Sequence, residues 1–350
     1  MIDEPRYLRN SWYVAALTTE LAAGALVGRQ IVGLPVLLYR DERGAVAAIG
    51  NRCPHRFAPL HLGRLEEGQV RCGYHGLGFD RTGQCVHNPH GSDSAVRALR
   101  VPAYPAVEQQ GLVWVWPGDP DSADFALPPT FECLEGERSF VGFGYLHGNA
   151  HYELMSDNIL DLSHVEFLHP GLGTEAVSKA KVEVRQVDDR IVCSRQMKNE
   201  LLPPNLERAY RTGGARVDRA MEVTWQAPAV LRLQVSVEPL EGDDTSVRGS
   251  ESIHLFTPET SGSTHYFYAG AMNRTTSDEV IANGFFQALR RAFVTEDKPM
   301  IDAQQGMMGT TDLMSLRPSL LPFDQAAVLA RRRLANLIEA EQAGLPSDHA

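Results

Sequence analysis

Between residues 12 and 117 the apolar positions come in short runs, IVGLPVLLYR (31–40), AVAAIG (45–50), GLGFD (76–80) and GLVWVWPG (111–118), divided by Gly, Pro and Asn turns. The last run alternates around Trp114 and Trp116, the period of a strand with one buried face. Helical periodicity is scarce here, which predicts a small all-β domain. The segment 117–130, PGDPDSADFALPPT, is rich in Pro and Asp and reads as a linker.

Beyond it, longer strand-like runs, KVEVRQVDDRIVCSRQM (181–197), VLRLQVSV (230–237) and STHYFYAGAMN (263–273), mix with helical segments at about 149–168 and 277–304. Asn149 is the expected N-cap of the first of these. A last helix is expected to start at Asp324 as N-cap, with a Phe323–Val328 hydrophobic staple, and to end at Gly344 before Pro346. The expected class is α+β: an all-β domain at 1–118, a linker at 119–139, and an antiparallel sheet with helices at 140–350.

Composition narrows the function. With 350 residues, 43% hydrophobic and 22% charged, the chain can bury a sizeable core. A net charge of -11 without a basic stripe excludes nucleic acid as the expected partner. Arg331–Arg333 reads as a solvated helix face. No run reaches the roughly 20 apolar residues of a membrane span. The N-terminus has no apolar h-region, so no membrane association and a cytoplasmic location are expected. Five cysteines, an odd number, do not suggest a disulfide framework. Cys85, Cys133 and Cys193 are expected to be buried thiols.

Cys53 and Cys72 keep other company. Cys53-Pro54-His55 is followed, with sixteen residues between, by Cys72-Gly73-Tyr74-His75, each pair in a turn of Pro or Gly. A structural zinc usually pairs Cys with Cys and His with His. One Cys and one His in each turn suits a [2Fe–2S] cluster with two thiolates on one iron and two imidazoles on the other. His87 and His90 then read as a polar turn supporting the cluster loops.

A second constellation lies in HYELMSDNILDLSHVEFLHPG (151–171). His164 and His169 are five apart, about 140° around an unbroken helix. Pro170 disfavours helix at His169, so the helix should end before it and let the ring swing back toward His164. Two imidazoles and a carboxylate form the facial triad of non-haem Fe(II) oxygenases. Asp297, Glu296 and Asp302 all offer that carboxylate, and spacing does not choose among them. Asp161 sits one helical turn before His164, where it can orient the ring. His147 and His151 read as framework.

CPHRFAPL (53–60) with CGYHGLGFDRTGQCVHNPHG (72–91) resembles the Rieske domain of aromatic oxygenases of the vanillate and dicamba O-demethylase type. The likeness runs from NSWYVAAL at Asn10 to EDKPM at Glu296. It implies a Rieske [2Fe–2S] cluster on Cys53, His55, Cys72 and His75, and a mononuclear Fe(II) on His164, His169 and Asp297. It implies that Asp161 links His164 to His75 of the partner subunit in a homotrimer, with Asn158 close to the iron. Trp225, His254, Phe285 and Phe286 would line the substrate pocket, His254 bonding a carboxylate or ether oxygen.

The implied activity is that of a terminal oxygenase using O₂ and electrons from NAD(P)H, delivered by a ferredoxin or flavin reductase. The expected reaction is O-demethylation of a small aromatic acid. Ring or alkyl hydroxylation and cis-dihydroxylation are the alternatives within the family. Outside it stand an electron carrier, against which the second histidine site counts, and a zinc-stapled binding protein.

Overall fold

The computed structural model describes residues 7–123, 127–242 and 245–344. It forms two compact units, Met1–Thr130 with Thr257–Ser261, and Phe131–Phe256 with Gly262–Ala350. Residues 257–261 belong with the first unit through backbone bonds. Val32 N and Gly33 N donate to Pro258 O and Glu259 O at 2.7 and 3.2 Å. Thr257 Oγ1 donates to Val14 O at 2.7 Å.

The first unit is built of three small antiparallel sheets. One of them, Arg64–Glu66, Gln69–Arg71, Gly78–Phe79 and Cys85–His87, flanks the second Cys/His turn. A core of Leu37, Tyr39, Ile49, Leu60, Val70, Phe79 and Val101 lies beneath, with Cys53, Cys72 and Cys85 packed into it. The alternation expected around Trp114 is absent. All four residues of strand Leu112–Val115 are buried, as is Trp116, so both faces of this strand are covered.

The second unit holds a seven-stranded sheet. Its order is Ser139–Gly148, Ser263–Asn273, Arg248–Thr260, Val230–Pro239, Val217–Gln226, Arg190–Glu200, Val182–Val187. Val217–Gln226 alternates strictly, burying Val217, Arg219, Met221, Val223 and Trp225. The run 181–197 is a hairpin and not one strand, since Asp188 adopts φ 53 at its turn. Helix Glu279–Arg291 presses Phe286 onto the sheet at Gly142 and Gly270. A Cβ at Gly142 would lie 2.5 Å from that ring, so only glycine lets it approach.

The helix ends and faces follow expectation only in part. The N-cap of Tyr152–Leu160 is His151, while Asn149 N donates to Asp302 at 2.9 Å. Asp324 stands at the N-cap of helix Gln325–Gln342 as expected, but its side chain makes no capping bond; its carboxylate turns back to accept from Leu321 N at 2.6 Å. Arg331 is not solvated: it donates to Glu153 and Asp157, and only 11% of its side chain is exposed. Pro346 lies outside the described residues. All five cysteines are free and buried. No helix among the described residues is long and apolar enough to cross a membrane.

Candidate functional site

The two Cys/His turns share one backbone design. Cys53 N donates to Ala58 O and Phe57 N to Cys53 O; Cys72 N donates to Leu77 O and Gly76 N to Cys72 O, all within 2.8–2.9 Å. Each loop turns through a positive φ four residues after its cysteine, 60° at Phe57 and 72° at Gly76. The thiols point into the core within bonding reach of each other, and burial pushes the Cys53 thiol up to about 11. The rings of His55 and His75 meet edge-on at 4.5 Å nearer the surface. His90 Nε2 donates to His75 O at 3.0 Å, so the HNPHG turn braces this loop.

This two-plus-two layout discriminates between metals. One zinc would draw all four ligand atoms to a single point. Among the described residues, however, the only three or more potential ligand atoms within 4.8 Å of one another are those of His164, His169 and Asp297. Thiols paired with thiols and imidazoles with imidazoles fit a two-iron cluster.

The second constellation is assembled by breaks in two helices. Helix Tyr152–Leu160 stops at Asp161, which is extended (φ -105, ψ 101) and starts a 3₁₀ turn, Leu162–His164. A short helix, Val165–Leu168, then ends at His169 as expected before Pro170. Opposite, Glu279–Arg291 runs into a π-helical turn, Ala292–Asp297, before Lys298–Met308 resumes α geometry. Single π turns inside α-helices recur at functional sites.

These breaks converge three side chains. Asp297 Oδ1 lies 3.2 Å from His169 Nε2 and 3.5 Å from His164 Nε2, and accepts from Asn158 Nδ2 at 3.1 Å. His164 Nδ1 lies 2.6 Å from the carbonyl of Asp161, an atom that can only accept. Its Nδ1 is therefore the protonated nitrogen and Nε2 is free to ligate. His169 Nδ1 donates to Glu296 Oε2 at 2.7 Å with the same result. Burial lowers the His164 pKa against the pull of Asp297. For His169, burial is outweighed by Asp297 and Glu296, and the pKa is raised. The donor set fits a facial triad with open positions.

Placement separates the candidates. Asp302 is turned to Asn149 and Lys298, and Glu296 grips His169 from behind, so Asp297 is the carboxylate at the centre. Asp161 orients His164 through its carbonyl and not its carboxylate. The carboxylate accepts from Ser163 N, Ser163 Oγ and, at 2.9 Å, from Arg195, which is 2% exposed. The roles of Glu296 and Arg195 were missed in the sequence. Glu296 was visible only as a rival ligand, and Arg195 carried no local signal.

A cavity of about 560 Å³ opens on His164, His169 and Asp297, within the usual range for small-molecule sites. Its walls include Leu206, Met221, Leu233, Val235, Phe285 and Phe293. Arg208, Arg211 and Arg291 also line it. Of the expected pocket residues, His254 and Phe285 face it, whereas Trp225 and Phe286 do not. Trp225 is core on the alternating strand, 1% exposed, and Phe286 is spent on Gly142 and Gly270. His254 is fully buried and holds no spare N–H. Its Nε2 is 2.9 Å from Ser252 Oγ and its Nδ1 2.6 Å from Tyr266 Oη. His147 and His151 stand apart from the metal ligands.

Comparison with known proteins places this geometry. Residues 11–105 match the Rieske [2Fe-2S] domain, and residues 148–340 match the vanillate O-demethylase oxygenase C-terminal domain. The chain is 35% identical to the oxygenase component of dicamba O-demethylase from Stenotrophomonas maltophilia, over 96% of this chain and 99% of that one. It is 36% identical to the oxygenase component of chloroacetanilide N-alkylformylase from Rhizorhabdus wittichii, over 96% and 97%. The crystal structure of dicamba monooxygenase bound to 3,6-dichlorosalicylic acid superposes with a TM-score of 0.89 at 35% identity, covering 97% of this chain and 100% of that one.

Proposed function

The chain belongs to the Rieske non-haem iron oxygenases of the vanillate O-demethylase type, and from that premise we propose that it demethylates the methoxy group of a small aromatic acid. It is the terminal oxygenase component of a monooxygenase system and takes its electrons from a reductase or ferredoxin. The observation that carries the reading is the cavity of about 560 Å³ that opens directly on His164, His169 and Asp297.

In this reading Cys53, His55, Cys72 and His75 hold the Rieske cluster, and His164, His169 and Asp297 hold Fe(II). The iron, when bound, supplies the oxidation of a C–H bond by O₂. The chain's own residues do the rest. Glu296 and the Asp161 carbonyl keep both imidazoles with Nε2 toward the metal position. Asn158 orients Asp297. The apolar walls keep bulk water from the reacting methyl group. Arg208, Arg211 and Arg291 supply positive charge that suits an acid. Hydroxylation of the methyl group gives a hemiacetal that releases formaldehyde and leaves a phenol. One oxygen atom of O₂ enters the product, and the other leaves as water with two electrons and two protons.

The finer parts of the reading concern assembly, electron supply and location. Asp161, with a fifth of its side chain exposed, would serve a neighbouring chain's cluster in a C₃ ring. NAD(P)H would be the ultimate electron source, in the cytoplasm. Ring or alkyl hydroxylation is the second reading, since the same site would serve it.

The test is reductase-coupled NADH consumption with a panel of methoxybenzoates and their uncharged methoxyarene counterparts, with formaldehyde measured. One formaldehyde per NADH from at least one methoxybenzoate is expected. Preference for the uncharged arenes would remove the acid, and hydroxylated products without formaldehyde would remove the demethylation.

A further inference from the structure

Three alternate residues of strand Arg248–Thr260, Ser250, Ser252 and His254, point to one face and line the cavity. They form its buried polar strip, set among apolar walls. Ser250 Oγ is spent on the Tyr210 hydroxyl at 2.8 Å. Ser252 and His254 belong to a separate chain of bonds that runs away from the cavity to Tyr266, which does not line it.

The direction of those bonds follows from counting donors. The phenol of Tyr266 is buried and owns one hydrogen, which must find an acceptor. His254 Nδ1, at 2.6 Å, is the acceptor that it has among the described residues. The imidazole then carries its proton on Nε2, which donates to Ser252 Oγ at 2.9 Å. Among the described residues Ser252 accepts that bond and makes no other through its side chain, so its own hydrogen is free for an acceptor in the cavity that it lines. Both relay groups are neutral near pH 7. Burial pushes His254 down to about 3 and raises Tyr266 well above its ordinary value.

We propose that Ser252 is the specificity-determining residue of the cavity, its hydroxyl held as a hydrogen-bond donor by the Tyr266–His254 relay, so that the enzyme selects substrates presenting an acceptor oxygen, ether or carbonyl, at that point. The inference rests on the cavity's being the substrate site, as proposed above. His254 acts through Ser252 and does not touch the substrate with a charge. Tyr266 is a positioning residue.

Two probes of matched shape test this, anisole and ethylbenzene, which differ by an ether oxygen in place of a methylene. Their dissociation constants are measured calorimetrically with the holoenzyme. Ser252→Ala is expected to lower the ratio Kd(ethylbenzene)/Kd(anisole) about three- to tenfold, the worth of one neutral hydrogen bond, while the ethylbenzene Kd stays within about twofold. Tyr266→Phe should lower the ratio in the same direction although it touches neither probe, because the proton on His254 is then no longer fixed on Nε2. A merely structural tyrosine would weaken both probes equally and leave the ratio alone. An unchanged ratio in Ser252→Ala, or loss of both probes alike, overturns the role of Ser252. An unchanged ratio in Tyr266→Phe alone overturns the relay. If wild-type protein binds neither probe, the same ratio is read between 3-ethylbenzoate and 3-methoxybenzoate, and only failure of those acids to bind as well takes the proposed function down with this inference.

Discussion

Glu296 and His169 are joined back to front: the carboxylate lies 2.7 Å from Nδ1, on the far edge of the ring from Asp297, which stands 3.2 Å from Nε2. Consecutive acidic residues thus do different work on one imidazole. Glu296→Ala should weaken Fe(II) binding about 10- to 100-fold, the usual effect of losing a group that orients a ligating histidine. Chelator competition measures it, with the cluster's visible spectrum as an internal control. Wild-type iron affinity in that variant would dismiss the orienting role.

The Cys/His turns should yield a red-brown protein with about two inorganic sulfides and about three irons per chain when fully loaded. Cys72→Ser or His75→Ala should bleach it, as read by absorbance and sulfide analysis. A colourless protein carrying one zinc per chain would contradict the cluster.

Arg195 is almost wholly buried and depends on the Asp161 carboxylate and the Val177 carbonyl for its partners. Asp161→Ala should therefore destabilise the fold by about 3 kcal/mol or more, because it strands a buried charge. Asp161→Asn keeps one acceptor oxygen for Ser163 and Arg195 though not the charge, so it should cost less stability than alanine and keep both metals bound, yet turn over far more slowly. Mixing it with the cluster-dead Cys72→Ser protein should restore part of the activity through hybrid rings. Full turnover by a monomer would refute the shared site.

Acid should weaken the fold through His151. Burial, with the Arg331 charge beside it, pushes this histidine from 6.5 down to about 3. The unfolded chain therefore takes up a proton below about pH 6.5 that the folded chain refuses. The stabilisation is complete above that value and drains away as pH falls toward about 3, by about 2 kcal/mol at pH 5. Urea midpoints at about pH 7 and pH 5 should show a smaller acid loss for His151→Asn than for wild type. Equal losses would mean that His151 is protonated in the fold.

What could be read from the chain, and what could not, follows from the range of the forces involved. The Cys/His turns were legible because ligand identity and local Gly or Pro chemistry are written within a few residues. So was the end of the helix at His169, because Pro170 acts on its immediate neighbour. The choice of Asp297 over Glu296 or Asp302 was not legible, since it depends on a π turn and on Asn149 taking Asp302 from across the fold. Trp225 and Phe286 were expected in the pocket, yet Trp225 is core and Phe286 packs on the sheet, because which face of a strand or helix meets a cavity is known only once the neighbouring elements are in place. The Arg331–Asp157 pairing hid for the same reason: a charged run looks solvated until a partner 174 positions away is folded against it.

The π turn at Ala292–Asp297 also sets how the chain can tolerate a change in length. A π turn holds one residue more than the α-helix on either side would need, so the surplus residue is a register marker. Deleting one residue there would let the wide turn close into regular α bonding while the helices on either side keep their register, since the turn is what absorbs the surplus. The residues inside the turn, Asp297 at its end included, would shift from where the wide turn holds them, while the helix around them improved. Length in this stretch is thus held by chemistry against the preference of the backbone. Deletion of Thr295 should give a protein that is sturdier and iron-poor together.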